Sequence, residues 1–137
     1  MNTKVEAHIQ SSAGAKIEGQ KEFRLDRFKL EFSEDFVKVH MVHQVLNRLA
    51  HVFDFTLPIE SGDYDFKKAN AVFSVLEQTH ETQYKGSSGR VNTFIDPASN
   101  KAVCVFNLEM DAGNQPGVPK PVIAVSGWFH LTSDGSQ

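Results

Sequence analysis

Apolar and polar residues alternate with a period of two along much of this chain, most clearly near its end. From Ala102 to Met110, Cys104, Phe106, Leu108 and Met110 share one parity, opposite Val103, Val105, Asn107 and Glu109. Successive side chains of a strand point to opposite faces, so the first set is expected in a core. From Pro121 to Thr132, Ile123, Val125, Phe129 and Leu131 take one parity, while Val122, Ala124, Ser126, Trp128 and His130 take the other. A strand over Arg90 to Ile95 precedes these two, and Asp96-Pro97-Ala98-Ser99-Asn100 reverses the chain after it. Pro97 presets φ for a turn, and Asn100 tolerates a left-handed conformation.

Further strands are expected at Lys4 to Gln10, Glu22 to Phe32, His51 to Leu57 and Ala69 to Glu77. Within Glu22 to Phe32, Phe23 and Leu25 lie on one parity but Phe28, Leu30 and Phe32 on the other, so a bulge or break is predicted at Asp26-Arg27. Turn chemistry recurs at Ser11-Ser12-Ala13-Gly14, Gly19-Gln20, Ser33-Glu34-Asp35, Ser61-Gly62-Asp63, Gly86-Ser87-Ser88-Gly89 and Asp111 to Pro121. The stretch from Phe36 to Ala50 supports two readings equally. Val42, Val45, Leu46, Leu49 and Phe53 follow helical spacing behind a Ser33 cap, whereas Phe36-Val37-Lys38-Val39 is rich in strand formers. The pattern predicts an all-β or mainly β domain over residues 1–137, an antiparallel β-sandwich or flattened β-barrel of about eight to ten strands. It leaves room for one short helix within residues 36–50.

Composition agrees with that class. A chain of 137 residues buries roughly two-thirds of the surface its unfolded form exposes, enough for a core without disulfides or metal. Eleven Phe against one Trp and two Tyr imply sheets packed on phenyl rings. The formal charge of −3, with the signs interspersed and no basic stripe, disfavours nucleic acid as a partner. No apolar run approaches the ~20 residues of a spanning helix, and Met1 to Glu6 does not resemble an export signal, so a cytoplasmic location is expected.

Candidate chemistry is sparse. His40, His43, His51, His80 and His130 lack the spacing of a metal motif, so structural or surface roles and no metal are expected. Glu60-Ser61-Gly62-Asp63-Tyr64-Asp65 gathers carboxylates on a turn but lacks the ordered oxygen series of a calcium loop. The single Cys104 reads as a small buried apolar group. Neither Ser88 nor Ser126 sits in a nucleophile-elbow context, and nothing selects a carboxylate pair, which ranks a hydrolase third among the functional readings. No cofactor is expected. Gly113 to Pro121, with three prolines, reads as a stiff connection in preference to a docking ligand.

The last strand carries the sharper signal. Trp128, with His130, Ser126 and Val122, lies on the face turned away from the core, and apolar groups on a second face imply either further burial or a contact surface. These four are the candidate binding residues. Phe55-Thr56-Leu57-Pro58, Ser61-Gly62-Asp63-Tyr64, Ser88-Gly89-Arg90-Val91 and Ser126-Gly127-Trp128-Phe129 together resemble the strand-Leu-Pro, Gly-x-Tyr, Gly-x-Val and Gly-x-Phe signatures of small bacterial β-sandwich domains of uncharacterised function. That resemblance, over Phe53 to Leu131, implies the fold and supplies no catalytic residues. The function expected is a non-enzymatic binding or assembly module, self-associating or meeting a protein partner through a sheet face or edge. The alternative is a binder of a small apolar ligand in a lipocalin-like cavity.

Overall fold

The computed structural model describes residues 11–46, 49–115, 118 and 121–133. The expected strand from Lys4 to Gln10 lies outside the described residues, as does part of the proline-rich connection. The chain forms β1 (Ser12–Ile17), β2 (Phe23–Arg24), β3 (Arg27–Phe32), β4 (Phe36–Leu46), β5 (Leu49–Pro58), β6 (Gly62–Asp65), the short helix α1 (Phe66–Ala69), β7 (Val72–Glu77), β8 (His80–Asp96), β9 (Lys101–Asp111) and β10 (Val122–Thr132). Strand neighbours are antiparallel, in the order β2-β1-β10-β9-β8-β7-β5-β4-β3, with β6 paired to the second half of β8. This single all-β sheet curls into a half-barrel.

The two ends of that order, β2 and β3, are consecutive in the chain. The backbone N–H of Leu25 donates to Ala13 of β1 at 3.1 Å, and that of Asp26 donates to Val42 of β4 at 2.9 Å. One broken strand therefore ties both ends of the sheet together. The break falls beside the predicted phase slip, and Leu25 is buried while Asp26 faces water.

The concave side is a phenyl core. Phe53, Phe55, Phe73, Phe106 and Phe129 are each no more than 2% exposed. Their rings touch in sequence: Phe53 stacks on Phe73 with centroids 4.7 Å apart, and Phe55 lies 5.0 Å from Phe106 and 5.6 Å from Phe129. Such pairs add about 0.5–1.5 kcal/mol each beyond the area they bury. Cys104, Phe106, Leu108, Met110, Val125, Phe129 and Leu131 are all buried, as their parity predicts, and Ile123 is partly so.

One open reading is settled and three expectations are corrected. The stretch from Phe36 to Leu46 is a strand, with Val37, Val39 and Met41 inside and Lys38 and His40 outside, and the helix is the single turn Phe66–Ala69. Asp65 caps that turn, its Oδ1 accepting from the Lys67 N–H at 3.0 Å. As a result β7 begins at Val72 and not at Ala69. Ser12 to Gly14 opens β1 instead of forming a turn, because its small residues admit a large neighbour described below. Gly86 to Gly89 is a bulge within the 17-residue β8, where the register against β9 shifts between Gly86 and Ser88. Gly89 has φ +105°, and a β-carbon there would run into the Asn107 carbonyl oxygen, so this bulge requires glycine.

Candidate functional site

Register places the outward residues of the last three long strands in rows. Trp128 of β10 faces Val105 of β9, which faces Asn92 of β8; one row along, His130 faces Val103, which faces Phe94. Phe94 is 54% exposed and Val105 60% exposed, and the two are diagonal neighbours across β8 and β9. Together with Val103 and Trp128 they make an apolar patch on a rigid sheet face, bordered by Asn92, Asn107, Ser126 and His130.

The four residues singled out in the sequence do not form one cluster. Trp128 and Ser126 both line a groove of about 310 Å³, along with Lys16, Glu22, Val105 and Asn107. His130 sits at the other end of the patch beside Val103. Val122 is exposed but six residues back along β10, roughly 20 Å from Trp128 at the rise of an extended strand. Phe94 and Val105, the most open members of the patch, were missed as site residues. Their outward parity was legible, but the adjacency of β8, β9 and β10 turns isolated apolar positions into a surface.

Trp128 itself is partly covered. Its indole lies across Gly14, the residue paired with it on β1, where an added methyl would sit 3.1 Å from Nε1. The guanidinium of Arg24 stands 5.2 Å from the indole centroid, a cation–π contact. The small residues of β1 thus give the ring its seat, and β2 caps it.

The remaining candidate chemistry is dispersed. His40 Nδ1 pairs with Asp54 Oδ1 at 2.7 Å on the outer face, and Thr82 Oγ1 contacts His80 Nε2 at 3.2 Å. Arg90 Nε donates to Asp63 Oδ1 at 3.1 Å, which engages one acid of the supposed calcium turn while Asp65 caps α1. Burial pushes the Cys104 thiol up to about 12, so it stays protonated and unreactive at neutral pH. Among the described residues no three His, Cys, Asp or Glu side chains converge as metal ligands.

His43 and His51 are different. They face each other across β4 and β5 on the concave side with ring centroids 5.8 Å apart, and both Nδ1 atoms are buried without a hydrogen-bond partner among the described residues. Burial, and secondly the neighbouring His43, holds the His51 pKa below its ordinary value of 6.5.

No protein-family model and no curated protein matches this chain. No helix among the described residues is long and apolar enough to cross a membrane.

Proposed function

We propose that the protein is a non-enzymatic binding and assembly module that self-associates through the outer face of β8, β9 and β10. The observation that carries this reading is the exposure of Phe94 and Val105 side by side on a sheet whose opposite face is fully packed. Burying exposed apolar area contributes roughly 25 cal/mol per Å², and one patch used by both copies forms a two-fold contact.

Magnitude limits the strength. Three strands spaced about 4.8 Å apart, over four or five residues each, cover on the order of 200 Å², against about 800 Å² per partner in a stable interface. The face is therefore the apolar centre of a weak contact, with Kd expected in the range of about 10⁻⁵ to 10⁻³ M. A small apolar ligand inside the half-barrel has less support, because the phenyl rings pack against one another there.

Sedimentation velocity over protein concentrations from about 10 µM to 1 mM tests this. The wild-type weight-average mass is expected to rise with concentration, whereas Val105→Lys, which sets two cations against each other across the contact, stays monomeric with unchanged thermal stability. A wild type that remains monomeric at 1 mM, or a Val105→Lys variant that associates equally well, would overturn the proposal.

A further inference from the structure

The two residues of β2 point to opposite sides of the sheet. Phe23 turns inward, its ring stacked on His43 with centroids 4.5 Å apart and planes 27° apart, and 5.2 Å from the ring of His51. Arg24 turns outward, pairs with Gly14 across the backbone and covers Trp128. An inner anchor and an outer cap thus occupy adjacent residues of the segment that ties the ends of the sheet.

The inner anchor rests on two imidazoles whose Nδ1 atoms lie out of reach of water. A neutral ring needs only one donor and leaves its other nitrogen free of a proton, but an imidazolium carries N–H on both. His43 and His51 each have a buried Nδ1 with no hydrogen-bond partner among the described residues, so a proton there costs desolvation, and a proton on both adds repulsion. Of the charged or titratable groups on the neighbouring elements, Glu22, Arg24, Asp26 and Arg27 flank β2 and the start of β3, Glu77 follows Val75 on β7 with the same parity, and His80 and Tyr84 lie opposite on β8. Among the described residues none forms an ion pair with either ring, and β7 sets Val75 opposite His51 with the Phe73 ring 5.6 Å from it.

We propose that β2 is an acid-released clasp: proton uptake by His43 and His51 frees Phe23 from the concave side, and Arg24 then lifts from Trp128. The depressed His51 pKa fixes the sign. In the clasped state the His51 ring resists protonation, whereas in the released state it meets water and regains its ordinary value of 6.5. Release therefore takes up protons, is suppressed above about pH 6.5, and grows as the pH falls below it, by at most about tenfold per proton per pH unit. One consequence rests on the proposed contact face: the uncovered indole adjoins Val105 and extends that face. The clasp itself does not depend on self-association.

Trp128 is the only tryptophan in the chain, so acrylamide quenching of its fluorescence reads the clasp directly. Measured at about 1 µM, below the range of self-association, the wild-type Stern–Volmer constant is expected to rise about twofold between pH 7.5 and 5.5 with far-UV circular dichroism unchanged. A double variant, His43→Phe with His51→Phe, keeps the low value at both pH values. Arg24→Ala shows the high value already at pH 7.5. His130 lies two residues from Trp128 on the same face, and His130→Gln retains the full wild-type response. Constant quenching in the wild type, an equal rise in the double histidine variant, or cooperative loss of the whole fold by pH 5.5 would each overturn the clasp.

Discussion

Phe106→Ala is expected to cost about 3–5 kcal/mol of folding stability, the range for removing a fully buried phenyl ring. Phe106 is 2% exposed at the centre of β9 and bridges the aromatic chain, 5.0 Å from Phe55 and 6.3 Å from Phe53. Its neighbours are held by sheet hydrogen bonds on both sides, so the walls of the cavity cannot collapse far. Domains of this size have total stabilities of about 5–15 kcal/mol, so the variant should sit near the edge of folding at 37 °C. Urea unfolding followed by circular dichroism provides the check: a lower midpoint with an unchanged m-value is expected. A loss below about 1 kcal/mol would mean that the ring does not occupy the core as described.

The second large effect is Gly127→Ala, where one added carbon is costly. The glycine pairs with Ala15 of β1 and with Phe106 of β9. A β-carbon at residue 127 would run into the Gly14 carbonyl oxygen and stand 2.7 Å from Phe106 Cζ. The phenyl ring can rotate, but the carbonyl belongs to the backbone of β1 and moves only if the β1–β10 ladder opens. Overpacking of this kind typically costs 1–3 kcal/mol, and backbone displacement puts Gly127→Ala at about 3 kcal/mol or above. Combining it with Phe106→Leu should relieve only the ring clash. A double variant restored to the stability of Phe106→Leu alone would show that the Gly14 carbonyl imposes no constraint.

The legible and illegible parts of this fold divide along a physical line. Period-two parity within one strand is local information, and it placed the core faces of β9 and β10 and the break between β2 and β3. Asn100 adopts the left-handed conformation its residue type allows, at φ 54°, at the end of the 3-10 turn Pro97–Ser99. What failed depended on neighbours. Small polar residues read as turns at Ser11 to Gly14 and at Gly86 to Gly89, yet the first serves as the seat for Trp128 and the second as a bulge against Asn107. Val42, Val45 and Leu46 mimicked helical spacing because inward alternation gives way near the far end of β4, where the register against β5 shifts.

The candidate site divides in the same way. Alternation put Trp128 and His130 on the outer face, where the first belongs to the patch and the second borders it. It could not show that Arg24 covers Trp128, nor that Phe94 and Val105 become neighbours, because both facts belong to strand order. The histidine pair was invisible for the same reason, since His43 and His51 are eight positions apart in sequence and one cross-strand step apart in space.

The central claim is that the outer face of β8, β9 and β10 is the surface by which this protein meets another copy of itself. Amide chemical shifts recorded through a dilution series from about 1 mM to 20 µM at pH 7.5 test it most directly, because they locate a weak contact residue by residue. Concentration-dependent shifts confined to residues 92–94, 103–107 and 126–130, and abolished by Val105→Lys, are the predicted result. Spectra that do not change on dilution, or shifts that cluster on β3, β4 and β5 instead, would contradict it.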